Sequence, residues 1–323
     1  MSSELAFTAV ALGYFDGVHL GHRRILSAAA VWAAEHGCIS TAFTFYFDAR
    51  RTKAPDILSS EERRRRLTAC GMRQVVCLPF DEIAALSPRQ FVCEILRDRL
   101  HAAAVFCGEN FRFGRDAAGD VTLLRQLCAE VGMATQVLPL TMADGRPVSS
   151  TRIRALLTAG DVAAAAALLG EPYTVELPVQ HGAALGRTLG WPTVNQVFPA
   201  GLLRPADGVY RTAACVDGQW MPAATGIGTR PTVTQGSFAA DETACRDTSV
   251  PPAVSETKSA PPVTCESFLC RWQGDAYGKS IRLAFLDYLW PVRRYDTLEQ
   301  LSACIRRAVR ISCDAFDAGF TVR

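Results

Sequence analysis

Apolar residues in the first half of the chain follow two alternating rhythms. Short, nearly continuous apolar runs fall at 7–12, 39–46, 74–78, 103–107 and 135–139, and runs of this length fit buried strands. Between them, at 22–36, 60–70, 88–100 and 120–131, apolar positions return at helical spacing. A strand–helix alternation predicts an α/β fold with a parallel sheet covered by helices on both faces. Ligands of such sheets collect at the carboxyl ends of the strands. His19 follows the first strand and Asn110 the strand at 103–107, so both belong to that edge. Residues 151–170 read as two short helices broken at Gly160-Asp161, with Asp161 as an N-cap. Gly170-Glu171-Pro172 then ends the helical pattern, which places a domain boundary between residues 171 and 172 and gives domains of 1–171 and 172–323.

The rhythm changes beyond that boundary. Val- and Tyr-containing runs at 174–180, 208–216, 219–226, 266–272 and 280–286 are separated by Gly and Pro turns. This spacing predicts an antiparallel barrel. A helix over 296–318 closes the chain, with Leu298, Leu301, Ile305 and Val309 in register. Residues 236–263 are rich in Ser, Thr, Ala, Pro and Asp, lack apolar periodicity, and read as a long flexible insertion.

Composition narrows the function classes. A length of 323 residues with 49% hydrophobic content accommodates about two domains. Thirty-four Lys and Arg against 32 Asp and Glu leave a net charge of +2, which gives no general case for nucleic-acid or membrane binding. No run reaches membrane-spanning length and no secretory leader is visible, so a cytoplasmic protein is expected. The 12 cysteines contain no Cys-x-x-Cys pair, which argues for reduced core thiols rather than a zinc site or a disulfide scaffold.

The chemistry concentrates in Gly13-Tyr14-Phe15-Asp16-Gly17-Val18-His19-Leu20-Gly21-His22. Gly13, Gly17 and Gly21 permit tight turns and close approach of backbone to a ligand. The helix that opens next presents free N–H groups suited to phosphate, and two of only five histidines stand beside it. This stretch resembles the nucleotidyltransferase signature centred on His-x-Gly-His. The chain has the family's Ser/Thr-rich second motif, here Val148-Ser149-Ser150-Thr151-Arg152-Ile153-Arg154, and also Gly108-Glu109-Asn110-Phe111-Arg112-Phe113-Gly114. With the second-half motifs below, it resembles the bacterial bifunctional riboflavin kinase/FAD synthetases. The resemblance implies a Rossmann-like nucleotidyltransferase domain followed by a riboflavin-kinase-like β-barrel with a C-terminal helix. It implies that His19 and His22 act on the ATP triphosphate and transition state. Gly13, Phe15, Asp16, Gly17, Gly21, Ser150, Thr151 and Arg154 would form the ATP pocket, and Asn110, Phe111 and Phe113 would place the flavin nucleotide. Read alone, Ser149–Thr151 also fits an N-cap cluster, Phe111 and Phe113 fit core, and Arg152 and Arg154 fit a solvated face. The run Arg63–Arg66, after Glu61-Glu62, reads as an exposed helical face.

In the second half, His181–Asn195 resembles the kinase's phosphate loop. Gly182, Gly186 and Gly190 would let the loop wrap ATP by main-chain donors, with Arg187 and Pro192 completing the implied ATP site, and Pro192-Thr193-Val194-Asn195 matches the family's Pro-Thr-Ala-Asn. Thr193 and Asn195 are the oxygen donors Mg²⁺ accepts. By resemblance Glu266 is the general base for the ribityl hydroxyl. The implied sequence is riboflavin to FMN, then FMN to FAD, with ATP used at both sites, small molecules as partners, no nucleic acid or membrane, and the oligomeric state left open. Several positions depart from the family pattern: the Pro-His-Pro turn is Tyr46-Phe47-Asp48-Ala49, an Asn is Gly226, and Leu-Arg-Pro-Glu is Leu289-Trp290-Pro291-Val292. The departures leave open an adenylyltransferase with a degenerate kinase, or a flavin-binding regulator without turnover.

Overall fold

A computed structural model describes residues 6–47, 54–181, 190–228 and 264–319. The insertion expected at 236–263 and the expected phosphate-loop residues Gly182, Gly186 and Arg187 lie outside the described residues.

The first half contains strands β1 (Thr8–Leu12), β2 (Ile39–Tyr46), β3 (Gln74–Pro79), β4 (Ala102–Gly108) and β5 (Ala134–Leu138). They form one parallel sheet in the order β3-β2-β1-β4-β5. The central β1 is buried along its whole length, which is why Ala9–Leu12 shows no polar alternation. Its side chains still divide by face: Ala9 and Ala11 join one core, Val10 and Leu12 the other. The helices are α1 (Leu20–Glu35), α2 (Ser60–Ala69), α3 (Phe80–Ala84), α4 (Pro88–Gln90) and α5 (Val121–Glu130). α4 starts on a Ser87/Gln90 capping box and continues as a π-wound segment, Phe91–Arg99, where an α-helix over 88–100 is expected. Two elements carry no signal in the sequence: the five-residue α3 and a hairpin of β6 (Met142–Ala143) and β7 (Arg146–Pro147). α6 (Ser150–Thr158) and α7 (Val162–Leu169) follow, with Asp161 capping Ala164 N at 3.0 Å.

The second half is a curled antiparallel sheet of β8 (Tyr173–Pro178), β9 (Thr193–Val197), β10 (Gly208–Val216), β11 (Gln219–Gly228), β12 (Thr264–Leu269) and β13 (Ser280–Trp290), in the order β8-β13-β10-β11-β12-β9. A Gln180–Asn195 bridge brings its two edge strands together. The inward side chains include a hydroxyl ladder, with Thr212 to Thr225 at 2.7 Å and Thr225 to Ser267 at 2.8 Å. The buried Gln196 amide spans to Leu177 O (2.6 Å) and Ile281 O (3.1 Å). The closing helix α8 (Leu298–Asp317) is capped by Thr297 and packs on the outer face of β10 and β11.

One core runs from the helical face of the parallel sheet through α7 into the barrel, joining Phe106, Leu169, Tyr173 and Phe285. The two halves also share backbone bonds: Asp56 N donates to Gly201 O at 2.7 Å and Leu203 N to Asp56 O at 2.7 Å. The Arg63–Arg66 run corrects the expectation of an exposed face. Arg63 and Arg66 are 3% and 1% exposed while Arg64 stays exposed: Arg63 turns to Tyr14, donating to its carbonyl at 3.4 Å, and Arg66 faces this junction, where carboxylates neutralise it. Arg66 Nε lies 2.8 Å from Glu62 Oε1, and its Nη1 lies 3.3 Å from Glu171. Among the described residues every cysteine is a free thiol, and no helix is long and apolar enough to cross a membrane.

Candidate functional site

The Gly13–His22 stretch forms the turn between β1 and α1. Gly17 has φ +87, and a Cβ there would press on Ile57 and Leu169 at 3.3 Å. Phe15 and Val18, at φ 53 and 45, occupy a region costly for side chains of their shape and are fully buried, so packing holds them there. His19 is the N-cap of α1, and its Nδ1 accepts from His22 N at 3.3 Å. That bond places the proton of a neutral His19 on Nε2. The two imidazoles stack at 3.6 Å and 15°, and Phe15 sets its edge against His22 at 5.3 Å. A Cβ at Gly21 would meet the His19 ring at 3.2 Å, so any side chain there would push the ring off its present seat by a few tenths of an ångström. Burial lowers the His19 pKa to about 4. Burial, then the neighbouring His19, pulls His22 well below its ordinary value. Both rings are therefore neutral N–H donors at physiological pH.

Asp16 is 1% exposed. Its carboxylate accepts from Ile57 N at 2.8 Å and pairs with the Arg154 guanidinium. Burial outweighs that cation and raises its pKa to about 6. Ser150 Oγ donates to Asp16 O at 2.8 Å, and Ser149 caps α6 by accepting from Arg152 N at 3.3 Å. Thr151 is exposed in the first turn of that helix. Arg154 also donates to Pro55 O at 3.1 Å. The fold thus joins the sites of Phe15, Asp16, His19, Gly21, His22, Ser150 and Arg154, which span well over a hundred residues of sequence. Gly13 ends β1, its N–H bonded to Phe43 O at 3.2 Å. Asn110 is exposed at the end of β4, with its amide oxygen over Gly108. Phe111 is partly buried, and Phe113 is buried against Phe91 at 5.5 Å.

Several contributors escape sequence reasoning. Tyr14 OH donates to Asp56 at 2.6 Å, Thr44 Oγ1 donates to Tyr14 O at 2.9 Å, and Arg63 stacks 5.1 Å over the Tyr14 ring. Tyr14 lies inside the motif and could have been flagged. Asp56 and Arg63 carry no local signal.

In the barrel, β9 and β12 pair so that Asn195 faces Glu266 and Thr193 faces Phe268. Gly226 of β11 completes the same row on the far side of Glu266. A Cβ at Gly226 would find only the main-chain carbonyl of Glu266, at 4.0 Å, among the described residues, so the departure from the family's Asn leaves open space beside that stretch of β12. Gly190, at φ +76, and Pro192 are exposed just ahead of β9. Trp191 anchors the entry to β9 by donating to Ser302 Oγ at 3.0 Å and meeting Phe268 edge-on, while His181 stacks on Tyr277 at 3.9 Å. Where β13 runs into α8, a cavity of about 750 Å³ is lined by Trp290, Arg293, Arg294, Tyr295, Gln300 and Arg307 among others. Arg307 covers the Trp290 ring at 5.1 Å, and Val292 packs over Gly228. Trp290 shares a row with Gly226 and Glu266 through Val209.

Comparison with known proteins covers both halves. A sequence model of the FAD synthetase family matches residues 2–152, and one of the riboflavin kinase family matches residues 169–315. A bifunctional riboflavin kinase/FMN adenylyltransferase of Pseudomonas fluorescens is 32% identical over 92% of this chain and 89% of its own length. Its counterpart in Bacillus subtilis (strain 168) is 34% identical over 72% of this chain and 75% of the relative. The Escherichia coli (strain K12) protein is 34% identical over 69% and 73%. A crystal structure described as a macrolide-efflux protein from Streptococcus pneumoniae superposes with a TM-score of 0.79, covering 99% of this chain and 96% of that one. At 24% identity that likeness concerns the fold alone. With both family models matched in order and relatives aligned along most of their length, the chain belongs to the bifunctional riboflavin kinase/FMN adenylyltransferase family.

Proposed function

We propose that the chain phosphorylates riboflavin to FMN with ATP in residues 172–323, and adenylylates FMN to FAD with a second ATP in residues 1–171. Both reactions act on small molecules, in the cytosol. In the first half, the FMN phosphate attacks the α-phosphorus of ATP in line. A new P–O bond forms as the bond to the bridging oxygen breaks and pyrophosphate leaves. His19 and His22 donate neutral N–H groups to the triphosphate beside the α1 N-terminus, where the helix dipole also favours negative charge. Asp16, held by Ile57 N–H, aims Arg154, and Ser150 fixes the Asp16 backbone. Gly13, Gly17 and Gly21 admit the nucleotide, Thr151 adds a hydroxyl at the α6 start, and Phe15 backs His22. Asn110 and Phe111 receive the flavin nucleotide, with Phe113 supporting them from the core.

In the barrel, Glu266 takes the proton of the ribityl hydroxyl, whose oxygen attacks the γ-phosphorus and releases ADP. Gly182, Gly186, Arg187, Gly190 and Pro192 cradle the phosphates. Riboflavin's ring is assigned to the cavity beside Trp290, whose volume suits such a ligand. Thr193 and Asn195 fit a Mg²⁺ shared with ATP: they are neutral oxygen donors two residues apart on one strand face, next to Glu266, and Mg²⁺ typically combines few protein oxygens with phosphate oxygens. When bound, the metal supplies charge neutralisation on the phosphates. The single observation that carries the two-step reading is the Asn195–Glu266 pairing, which supports a working kinase despite the departures at Gly226, Trp290 and Val292. Those departures favour the second reading, adenylyl transfer alone. Incubation with riboflavin and with FMN separately, each with Mg-ATP, separates the two: FAD from FMN but no FMN from riboflavin selects the second.

A further inference from the structure

The adenylyl-transfer turn is tied to the junction ahead of the barrel by charge. Arg23 directly follows His22. Its Nε donates to Val18 O at 3.1 Å, and its Nη2 donates to Glu171 Oε1. Val18 immediately precedes His19, is fully buried and has φ 45, a conformation a β-branched residue does not keep unaided. Its carbonyl is therefore clamped by a guanidinium that Glu171 holds in place. Glu171 is itself fixed from the other side, with Arg66 Nη1 at 3.3 Å and Arg65 at 3.7 Å, while Arg66 donates to Pro172 O at 3.1 Å. The seating is tight. A Cβ on Gly170, the left-handed C-cap of α7, would strike Leu20 at 2.8 Å and meet Arg23 Nε at 3.5 Å. Three guanidiniums share two carboxylates here, Glu62 and Glu171, so Glu171 is the only carboxylate among the described residues that holds Arg23.

We infer that Glu171 is a positioning residue for adenylyl transfer: through Arg23 it fixes the turn that aims His19 and His22. The inference rests on the adenylyltransferase reading above. Imidazoles that stabilise charge in a transition state must be held to a fraction of an ångström, so loosening this clamp lowers turnover more than substrate binding.

The test compares wild type, Glu171→Ala, Glu171→Gln and Arg23→Lys in the full-length protein. FAD formation from FMN and Mg-ATP should lose roughly tenfold in kcat in Glu171→Ala, with KM values within about threefold and riboflavin phosphorylation within about twofold. Glu171→Gln keeps an oxygen acceptor for Arg23 and should recover most of the rate. Arg23→Lys keeps the charge but loses the Nε–H to Val18 O, and it should reproduce the loss if Glu171→Ala does not fold. A second readout does not depend on activity. The chain has five histidines, and imidazole NMR should show His19 and His22 displaced in Glu171→Ala while His36, His101 and His181 stay in place. Unchanged kcat with unmoved His19 and His22 signals overturns the inference. So does a parallel loss of both activities with all five imidazoles displaced, which is the signature of a merely structural role. If wild type makes no FAD from FMN, the functional reading fails, while the NMR comparison still decides whether the clamp positions the imidazoles.

Discussion

Replacing His22 with Ala removes one neutral donor from the proposed adenylyl-transfer site and leaves the barrel untouched. The magnitude follows from the protonation states. His19 holds its proton on Nε2 because Nδ1 already accepts from His22 N, and burial keeps it neutral down to about pH 4. His22, which burial and then the neighbouring His19 hold well below its ordinary value, is neutral as well. On the proposed role, the substitution therefore deletes a neutral hydrogen bond to a developing charge, not an ion pair. Removing one such preorganised donor costs about 10²-fold in kcat, or ~2.7 kcal/mol, at the lower end for this class of group. The lost stacking on His19 and edge contact with Phe15 add some destabilisation, so stability is followed by thermal unfolding alongside. The assay is chromatographic separation of flavins after incubation with Mg-ATP. From FMN, FAD formation falls about a hundredfold; from riboflavin, FMN accumulates at the parent rate. A fall of less than about tenfold, or an equal fall in riboflavin phosphorylation, refutes the assignment of His22.

Glu266→Gln keeps the strand pairing with Asn195 but cannot accept a proton. Riboflavin phosphorylation should drop by roughly 10²- to 10⁴-fold, with FAD formation from supplied FMN unchanged; an unchanged phosphorylation rate in the same flavin assay removes Glu266 as base. Acid stability follows from the buried titratable groups. Below pH 6.5 the unfolded chain protonates His19 while the folded one resists until about pH 4, so stability falls as pH drops through that window, by on the order of 3 kcal/mol for His19 alone, with His22 adding to it. Asp16 acts oppositely, because its folded carboxyl keeps its proton up to about pH 6 and the unfolded one only to 3.8. Calorimetric Tm should therefore decline from pH 6.5 to 4, less steeply in His19→Asn and more steeply in Asp16→Asn; a flat Tm in the wild type contradicts the neutral-imidazole account.

The parallel sheet was legible because its signal is local. Ala9–Leu12 and Ala102–Gly108 are apolar runs of strand length, and the His19/His22 turn is contiguous in sequence. What stayed hidden depends on distant partners. Arg63–Arg66 looks like a solvated face until Glu171, a hundred residues on, is brought against it. β9 escaped as a strand because Gln196 points into the barrel, where Leu177 and Ile281 carbonyls satisfy it, so the apolar alternation is broken by a polar core residue. The Asn195–Glu266 row could not be derived from spacing, since the two residues pair across a long insertion. α3, at five residues, is shorter than any periodic signal.

The most direct measurement of the central claim uses wild-type protein, riboflavin, Mg²⁺ and ATP labelled at either the α- or the γ-phosphorus. If the chain carries out both transfers, γ-label appears first in FMN and then in FAD, α-label appears in FAD only, and one pyrophosphate forms per FAD. FAD that takes α-label from ATP when FMN is added, with no γ-label ever entering the flavin from riboflavin, would contradict it.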